Sequence, residues 1–528
     1  MNENVACLLG VQALERPDSA AIIEAHGRGR VITFAELALH ASRCAQALHQ
    51  DGIGAGDAVL IVHGMSIELY AALTAILQLG AVAMFIDPSA DAHVIAACCA
   101  LQPPAAFFGS GAAQLLRWRF PALRSIERRY STGALWGATR WRLASDERAL
   151  PVAQEFNSIY EVQPAAPALM TFTSGSTGQP KAAVRSHFLL RAQLQRLQEN
   201  LSLTAGDIDL TTLPIVLLAN LACGVTSVIS AADLRRPGAV DGSRVFADAQ
   251  QHAVTTACAS PALFERLADY CERENVQLPL LRKVACGGAP VFPRTLDRIA
   301  RFAPHARVTA IYGSTEAEPI ADIARDDISA ADRQAMREGA GLIAGVPVNG
   351  IRAAIIADKW GQSLGPLSQT DFEQLKRVQG EAGEIVVSGD HVLPGYLRGR
   401  GDEETKFKVD GVIWHRTGDL GYFDPRGRLW LLGRCGAKVA DPKGTLYPFA
   451  VECAASHCAS VRRSALVSDA TRRILVIEPA QAAPNLDELN DIVSWANIDS
   501  VRLVRRIPVD RRHNAKVDYP ALRRMLKL

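Results

Sequence analysis

Residues 171–187 read TFTSGSTGQPKAAVRSH, in which five hydroxyl side chains and two glycines precede a proline and Lys181. Thr173, Ser174, Gly175, Ser176, Thr177 and Gly178 offer hydroxyls and unhindered backbone N–H groups, the donors that cradle an oxyanion. The run APALMTFT before them reads as a strand and HFLLRAQLQRLQ after them as a helix, so the spacing predicts a strand–loop–helix phosphate cradle. It is not a Walker loop, which puts four residues between Gly and Gly-Lys; here Gly175, Gly178 and Lys181 stand three apart. A loop of this kind on its own is most simply a flexible turn, and its company decides the matter. Gly288, Ala289 and Pro290 in GGAP, and Tyr312, Gly313, Ser314, Thr315 and Glu316 in YGSTEAEP, sit at the ends of expected strands, where open α/β sheets bind ligands. Asp419 in RTGDLGYF, Arg434 in LLGR and Lys516 in RHNAKV follow in order.

The elements that must position these residues are legible as a β–α alternation. TFAELALHASRCAQALHQ has apolar residues at helical spacing behind a Thr cap; AVLIVHG reads as a strand, SIELYAALTAILQLG as a helix ending on Gly80, and AVAMFID as a strand. The same grammar returns in VTTACAS, PALFERLADYCEREN, LRKVACGG, PRTLDRIARFA and RVTAIYG, which implies parallel sheets covered by helices. After about residue 345 it changes: GEIVVSGD and GRLWLLGR are short, bounded by Gly turns, and read as antiparallel. The last segment has strands of its own, SALVSD and RILVIEP, and a closing helix, YPALRRML. The expected fold class is therefore α/β: a large domain over 1–433 of parallel-type sheets plus a small antiparallel subdomain, then a small mobile α+β domain over 434–528.

Composition bounds the function. The 528 residues exceed what one core usually serves, and 57 Lys plus Arg against 55 Asp plus Glu gives no global field for nucleic acid. Residues 434–528 hold 16 basic and 10 acidic residues, a basic tail beside an acidic body, which suits an anion held between them and equally a plain solvated Arg-rich surface. Eleven cysteines without repeated spacing predict no disulfide framework and a reducing cytoplasm. Glu452, Cys453, His457 and Cys458 have the chemistry of metal ligands without the spacing of a zinc site, and core packing is the favoured reading. MNENVACLLG has no basic leader, so no signal peptide is expected. The uncharged LPIVLLANLACGVTSVISAA (213–232) has the length of a membrane span, but its polar residues and its glycine favour two buried pieces lining a pocket.

In this order and spacing, the blocks resemble the adenylate-forming superfamily of acyl-CoA synthetases, carrier-protein adenylation domains and luciferases, from RPDSAAII and TFAEL to Lys516. The resemblance implies ATP-dependent activation of a carboxylate as acyl-AMP with release of pyrophosphate, in the adenylate-forming enzyme fold. By it, Thr173–Gly178 and Lys181 hold the β and γ phosphates, Thr315 touches the α-phosphate, and Glu316 binds Mg²⁺, a hard ion that takes oxygen ligands. Tyr312 stacks on adenine beside Gly288–Pro290, Asp419 accepts the ribose hydroxyls, and Arg434 closes on the nucleotide. Lys516 bridges carboxylate and α-phosphate.

The pattern also departs from the thioester-forming branches. Gly436 stands where their pivot residue belongs, the glycine of the thiol loop has no clear counterpart, and Ala515 replaces the glycine before the lysine. The chain resembles olefin-pathway β-lactone synthetases at GAVAMFIDPS, SPALFERLADYCERENVQLPLLRKVACGGAPV, GAGLIAGVPV and IPVDRRHNAKV. That branch implies a fatty or 3-hydroxy fatty acid substrate whose own hydroxyl attacks the activated carbonyl, a tethered attack that gains entropically. The alternative is transfer to CoA or an acyl carrier protein; a catalytically silent nucleotide binder is the third reading, against which Glu316 and Lys516 argue. The sequence singles out no proton acceptor for the hydroxyl, and His187 reads more readily as a core residue.

Overall fold

The computed structural model describes residues 2–26, 29–87, 90–133, 137–141, 159–174, 180–233, 237–469, 472–480, 484–510 and 515–528. They pack as two compact units, Met1–Ala231 with Leu393–Asp402, and Ala232–Val392 with Glu403–Leu528.

In the first unit, helix Phe34–Gln50 starts on a reciprocal capping box between Thr33 and Glu36, and helix Ile67–Gln78 on the Ser66 hydroxyl. The latter is buried all round, as its nearly continuous apolar sequence requires, and its end turns at Gly80, whose φ is +67°. Strands Ala58–Val62, Val82–Phe85, Ala106–Gly109 and Arg128–Ser131 pair in parallel around it, and Pro167–Ser174 joins beside Val82–Phe85. Leu60, Met84, Phe107 and Met170 fill one core of this sheet. The stretch 213–232 is helix Pro214–Cys223, a left-handed Gly224 and strand Thr226–Ile229. Buried Asn220 donates to Asp209 at 2.8 Å and to Ser227 at 3.1 Å, which reconciles the polar residues of the stretch with its burial. Among the described residues no helix is long and apolar enough to cross a membrane.

One expected connection differs. Pro167–Ser174 is followed by a second strand, Pro180–Ser186, antiparallel to it with Ser174 opposite Pro180, and only then by helix His187–Leu201. The hydroxyl-rich loop therefore links two strands instead of leading into a helix. PKAAVRS hid this strand because Pro, Lys and Arg interrupt its apolar alternation, although Ala182 and Ala183 are fully buried.

In the second unit, parallel strands Thr256–Ala259, Lys283–Cys286 and Arg307–Ser314 alternate with helices Pro261–Glu274 and Pro293–Phe302. Direction then reverses. Arg307–Ser314 turns through Thr315 and Glu316 into antiparallel Ala317–Ala324, and Leu342–Pro347, Leu429–Arg434, Val412–Phe423, Gly383–Gly389 and Ile351–Ile356 continue the antiparallel order. Gly345 lets two of these strands touch: it has φ +90°, and a Cβ there would lie 1.8 Å from the Asp322 carbonyl oxygen. Beyond Gly433 the chain builds a separate three-stranded sheet, Val461–Asp469, Arg472–Pro479 and Ser500–Leu503, with its own apolar clusters around Leu475 and Ile474. By packing, these residues cluster with the second unit, whose first boundary falls at Ala231/Ala232.

Candidate functional site

The second unit gathers the residues singled out after position 286. Gly288, Ala289 and Pro290 follow the carboxyl end of Lys283–Cys286, and Gly288 has φ +82°, a left-handed turn that glycine adopts without strain. Tyr312, Gly313 and Ser314 close the neighbouring strand; a Cβ on Gly313 would lie 3.1 Å from the Ala317 carbonyl oxygen, so two backbones meet there. Asp419 lies on Val412–Phe423 directly opposite Arg434 on Leu429–Arg434. Gly288, Tyr312, Ser314, Asp419, Arg434 and Lys516 all line one cavity of ≈ 250 Å³, at the carboxyl ends of the parallel strands.

Asp419 is the hub. Tyr312 donates its hydroxyl to Oδ2 at 2.8 Å, while Arg434 Nη1 donates to Oδ1 at 3.0 Å and to the Thr417 carbonyl at 3.1 Å. An ionised carboxylate has about four acceptor positions, so two such bonds leave it able to accept two more hydroxyls. Burial, and then the charge of Asp419, push the Tyr312 phenol well above its ordinary range. The Asp419 carboxylate, against the opposing effect of burial, holds Arg434 above its ordinary range. Ser314 Oγ is buried in the same wall with no hydrogen-bond partner among the described residues. A buried hydroxyl without a partner costs free energy until a ligand supplies one, so this wall suits a polar guest.

Thr315 and Glu316 form a two-residue hairpin turn, with Ser314 facing Ala317 across it. Lys516 is held by its backbone: Asp510 Oδ1 accepts N–H groups from Ala515 at 3.1 Å and Lys516 at 2.9 Å, and the Lys516 carbonyl accepts from Asp510 N–H at 2.8 Å. Asp510 thus fixes the chain on both sides of the lysine's loop while the Lys516 side chain stays exposed to the cavity.

Other singled-out positions stand apart from this description. Gly175, Ser176, Thr177 and Gly178 lie outside the described residues, and Thr173 and Ser174 are described as strand backbone only. Lys181, in the first unit, is 7% exposed with Nζ 5.7 Å from the Tyr396 ring. His187 is fully buried; its Nδ1 accepts the Val5 N–H at 3.1 Å, and burial lowers its pKa to about 4. Glu452, Cys453, His457 and Cys458 do not converge: Glu452 accepts from Tyr519 and Leu466, His457 Nδ1 meets the Cys453 carbonyl, and Cys458 Sγ meets Ser460. Among the described residues no group of three or more His, Cys, Asp or Glu could hold a metal ion. Sequence reasoning missed the Tyr312–Asp419 bond, which joins positions 107 apart, and missed Glu452, Arg463 and Tyr519 in the cavity wall. No local pattern marks residues that meet only through tertiary packing.

The family model described as AMP-binding enzyme matches residues 9–397. Olefin beta-lactone synthetases of Xanthomonas campestris pv. campestris and Stenotrophomonas maltophilia are each 32% identical, over 97% of this chain and 96% of theirs. The amide bond synthetase McbA from Marinactinospora thermotolerans shares the fold with a TM-score of 0.78 at 21% identity, covering 99% of both chains. ATP-bound MatB from Rhodopseudomonas palustris does so with a TM-score of 0.79 at 20% identity, covering 100% of this chain and 99% of its own. The family model and the two synthetases define the class, an ATP-using, adenylate-forming ligase. The chain belongs to the AMP-binding enzyme family.

Proposed function

We propose that the enzyme activates a 3-hydroxy fatty acid as its acyl adenylate, releasing pyrophosphate, and then closes a β-lactone by attack of the substrate's own hydroxyl, releasing AMP. One observation carries the second step: near full-length similarity to two olefin beta-lactone synthetases, in a chain with Gly436 and Ala515 where thioester-forming relatives of this superfamily keep other residues. The first step draws support from the single cavity that Tyr312, Asp419, Arg434 and Lys516 share.

In this reading Tyr312 and the Gly288–Pro290 backbone receive adenine, and Asp419 accepts the ribose hydroxyls. Ser314 and Thr315 meet the α-phosphate side, and Arg434 closes on the nucleotide. Thr173–Gly178 and Lys181 keep the β- and γ-phosphate role that the resemblance gives them. Lys516 bridges the carboxylate and the α-phosphate as charge develops, the electrostatic assistance such a displacement needs. Glu316 is the carboxylate for Mg²⁺: one side-chain oxygen donor in a half-exposed turn suits an ion that takes one or two carboxylates and fills its shell with phosphate and water. When bound, Mg²⁺ would neutralise the triphosphate. Residues 434–528 act as a lid domain hinged near Gly433. Eleven free cysteines suit a reducing cytoplasm.

The test is incubation with ATP, Mg²⁺ and a racemic 3-hydroxy acid, with NMR detection of β-lactone. Product without a thiol supports the reading, whereas product formed only with CoA or a carrier protein replaces it with a thioester ligase. Lys516→Ala is expected to abolish pyrophosphate release while ATP binding survives; unchanged turnover would refute the role of the lysine.

A further inference from the structure

Lactone closure needs an acceptor for the hydroxyl proton. Asp419 accepts from Tyr312 and Arg434 and in this reading gives its remaining positions to the ribose hydroxyls, and His187 is sealed in a core. The cavity has one further carboxylate in its wall, Glu452, on helix Pro448–Ala455. The residue is 3% exposed, so the cavity is its outlet. Oε1 accepts both of its hydrogen bonds, from the Tyr519 hydroxyl and from Leu466 N–H at 3.1 Å, and among the described residues Oε2 accepts none.

Among the described residues no ion pair reaches Glu452, and the charged groups packed around it are these. Arg463, on Val461–Asp469, reaches Glu478; Arg434 is bound to Asp419; Arg333 and Arg337, on Ala330–Arg337, act on His457; Glu488, on Leu486–Ile492, meets Cys458. Lys516 shares the cavity wall, and Cys453 and Tyr519 are the remaining titratable neighbours. Burial raises the carboxyl to about 7, against the opposing pull of the Tyr519 and Leu466 hydrogen bonds. A general base works best with its pKa near the operating pH.

We propose that Glu452 is the proton acceptor of the second half-reaction, an inference that rests on the lactone reading. Its free Oε2 takes the proton of the 3-hydroxyl as that oxygen bonds to the acyl carbonyl carbon. The bond from this carbon to the phosphate oxygen breaks, and its electron pair leaves with AMP. Tyr519 is a positioning residue that holds Oε1 and so aims Oε2.

The experiment is a single turnover with ATP, Mg²⁺ and racemic 3-hydroxydecanoic acid, quenched at intervals, with pyrophosphate, acyl adenylate and lactone measured separately. Glu452→Gln keeps an acceptor for Leu466 and Tyr519 but cannot take a proton. It is expected to slow conversion of adenylate to lactone by ~10²-fold or more, the usual contribution of a positioned base, so that acyl adenylate accumulates. In the native enzyme the lactone step falls about tenfold per pH unit below about 7, because the base is protonated there. Glu452→Asp restores part of the rate. Equal conversion by Glu452→Gln and the native enzyme overturns the proposal; if that variant does not fold, a lactone step flat from about pH 6 to 8 in the native enzyme overturns it equally. A native enzyme that forms adenylate but makes lactone under no condition removes the lactone reading itself, an outcome separate from failure of Glu452.

Discussion

Arg416→Met measures how the strand that carries Asp419 is anchored. Arg416 and Glu384 both have fully buried side chains, joined by two bonds of 2.8 and 2.7 Å; Arg416 also donates to the Gln362 carbonyl at 2.6 Å and lies 5.5 Å from the Trp360 ring. Methionine fills most of the volume but strands the Glu384 carboxylate in a medium that cannot solvate it. Removing one partner of a buried pair typically costs ~3–5 kcal/mol, whereas replacing both with apolar residues is often neutral or better. With an m-value of about 3 kcal/mol/M, the single variant should lower the urea midpoint by about 1–2 M, and Arg416→Met/Glu384→Leu should recover most of it. Intrinsic fluorescence reports the transition, since Trp360 stands over the guanidinium. Asp419 is three residues along the same strand, so the single variant should also weaken ATP binding. A single-variant midpoint within about 0.3 M of the native one, or a double variant no better than the single, refutes the reasoning.

Tyr312→Phe removes one of the two side-chain donors on Asp419 and is expected to raise the KM for ATP by about tenfold or more, the worth of one hydrogen bond to a charged group, with kcat changed less; steady-state pyrophosphate release measures both. His187 is neutral when folded because burial depresses its pKa from 6.5 to about 4, so the unfolded chain takes up a proton first as pH falls. Stability should be full above about pH 6.5 and decline towards pH 4, and His187→Gln, which retains an acceptor for Val5, should flatten that limb in urea titrations. Gly345→Ala places a methyl against the Asp322 carbonyl at a positive φ, and differential scanning calorimetry should show a loss of more than about 1 kcal/mol.

The sequence made the helices and strands of both units legible where the period of apolar residues was unbroken, as in Ile67–Gln78, Pro261–Glu274 and Arg307–Ser314. Periodicity reports which face of an element is buried, and these elements each bury one face or all of it. It failed at Pro180–Ser186, where Lys181 and Arg185 are buried through side-chain partners that a hydropathy pattern counts as exposed. Of the candidate site, Tyr312, Asp419, Arg434 and Lys516 were legible because each sits in a motif, and the cavity brings them together. Glu452 was favoured as a core residue and is buried, but its neighbours in sequence gave no sign of its partners in space, a phenol 67 positions away and a backbone N–H.

The turn at Thr315 and Glu316 sets a limit on how this site can be altered. Ser314 and Ala317 are paired across it with only two residues between them, and the register shifts between Tyr312 and Ser314, so the tight turn and this irregularity together decide where the two side chains aim. Adding a single residue would slip the register and send one of the pair to the opposite face of the sheet. Exposed loops elsewhere can take insertions at little cost. This hairpin cannot, and libraries built to retune the enzyme should vary the identity of residues here and never their number.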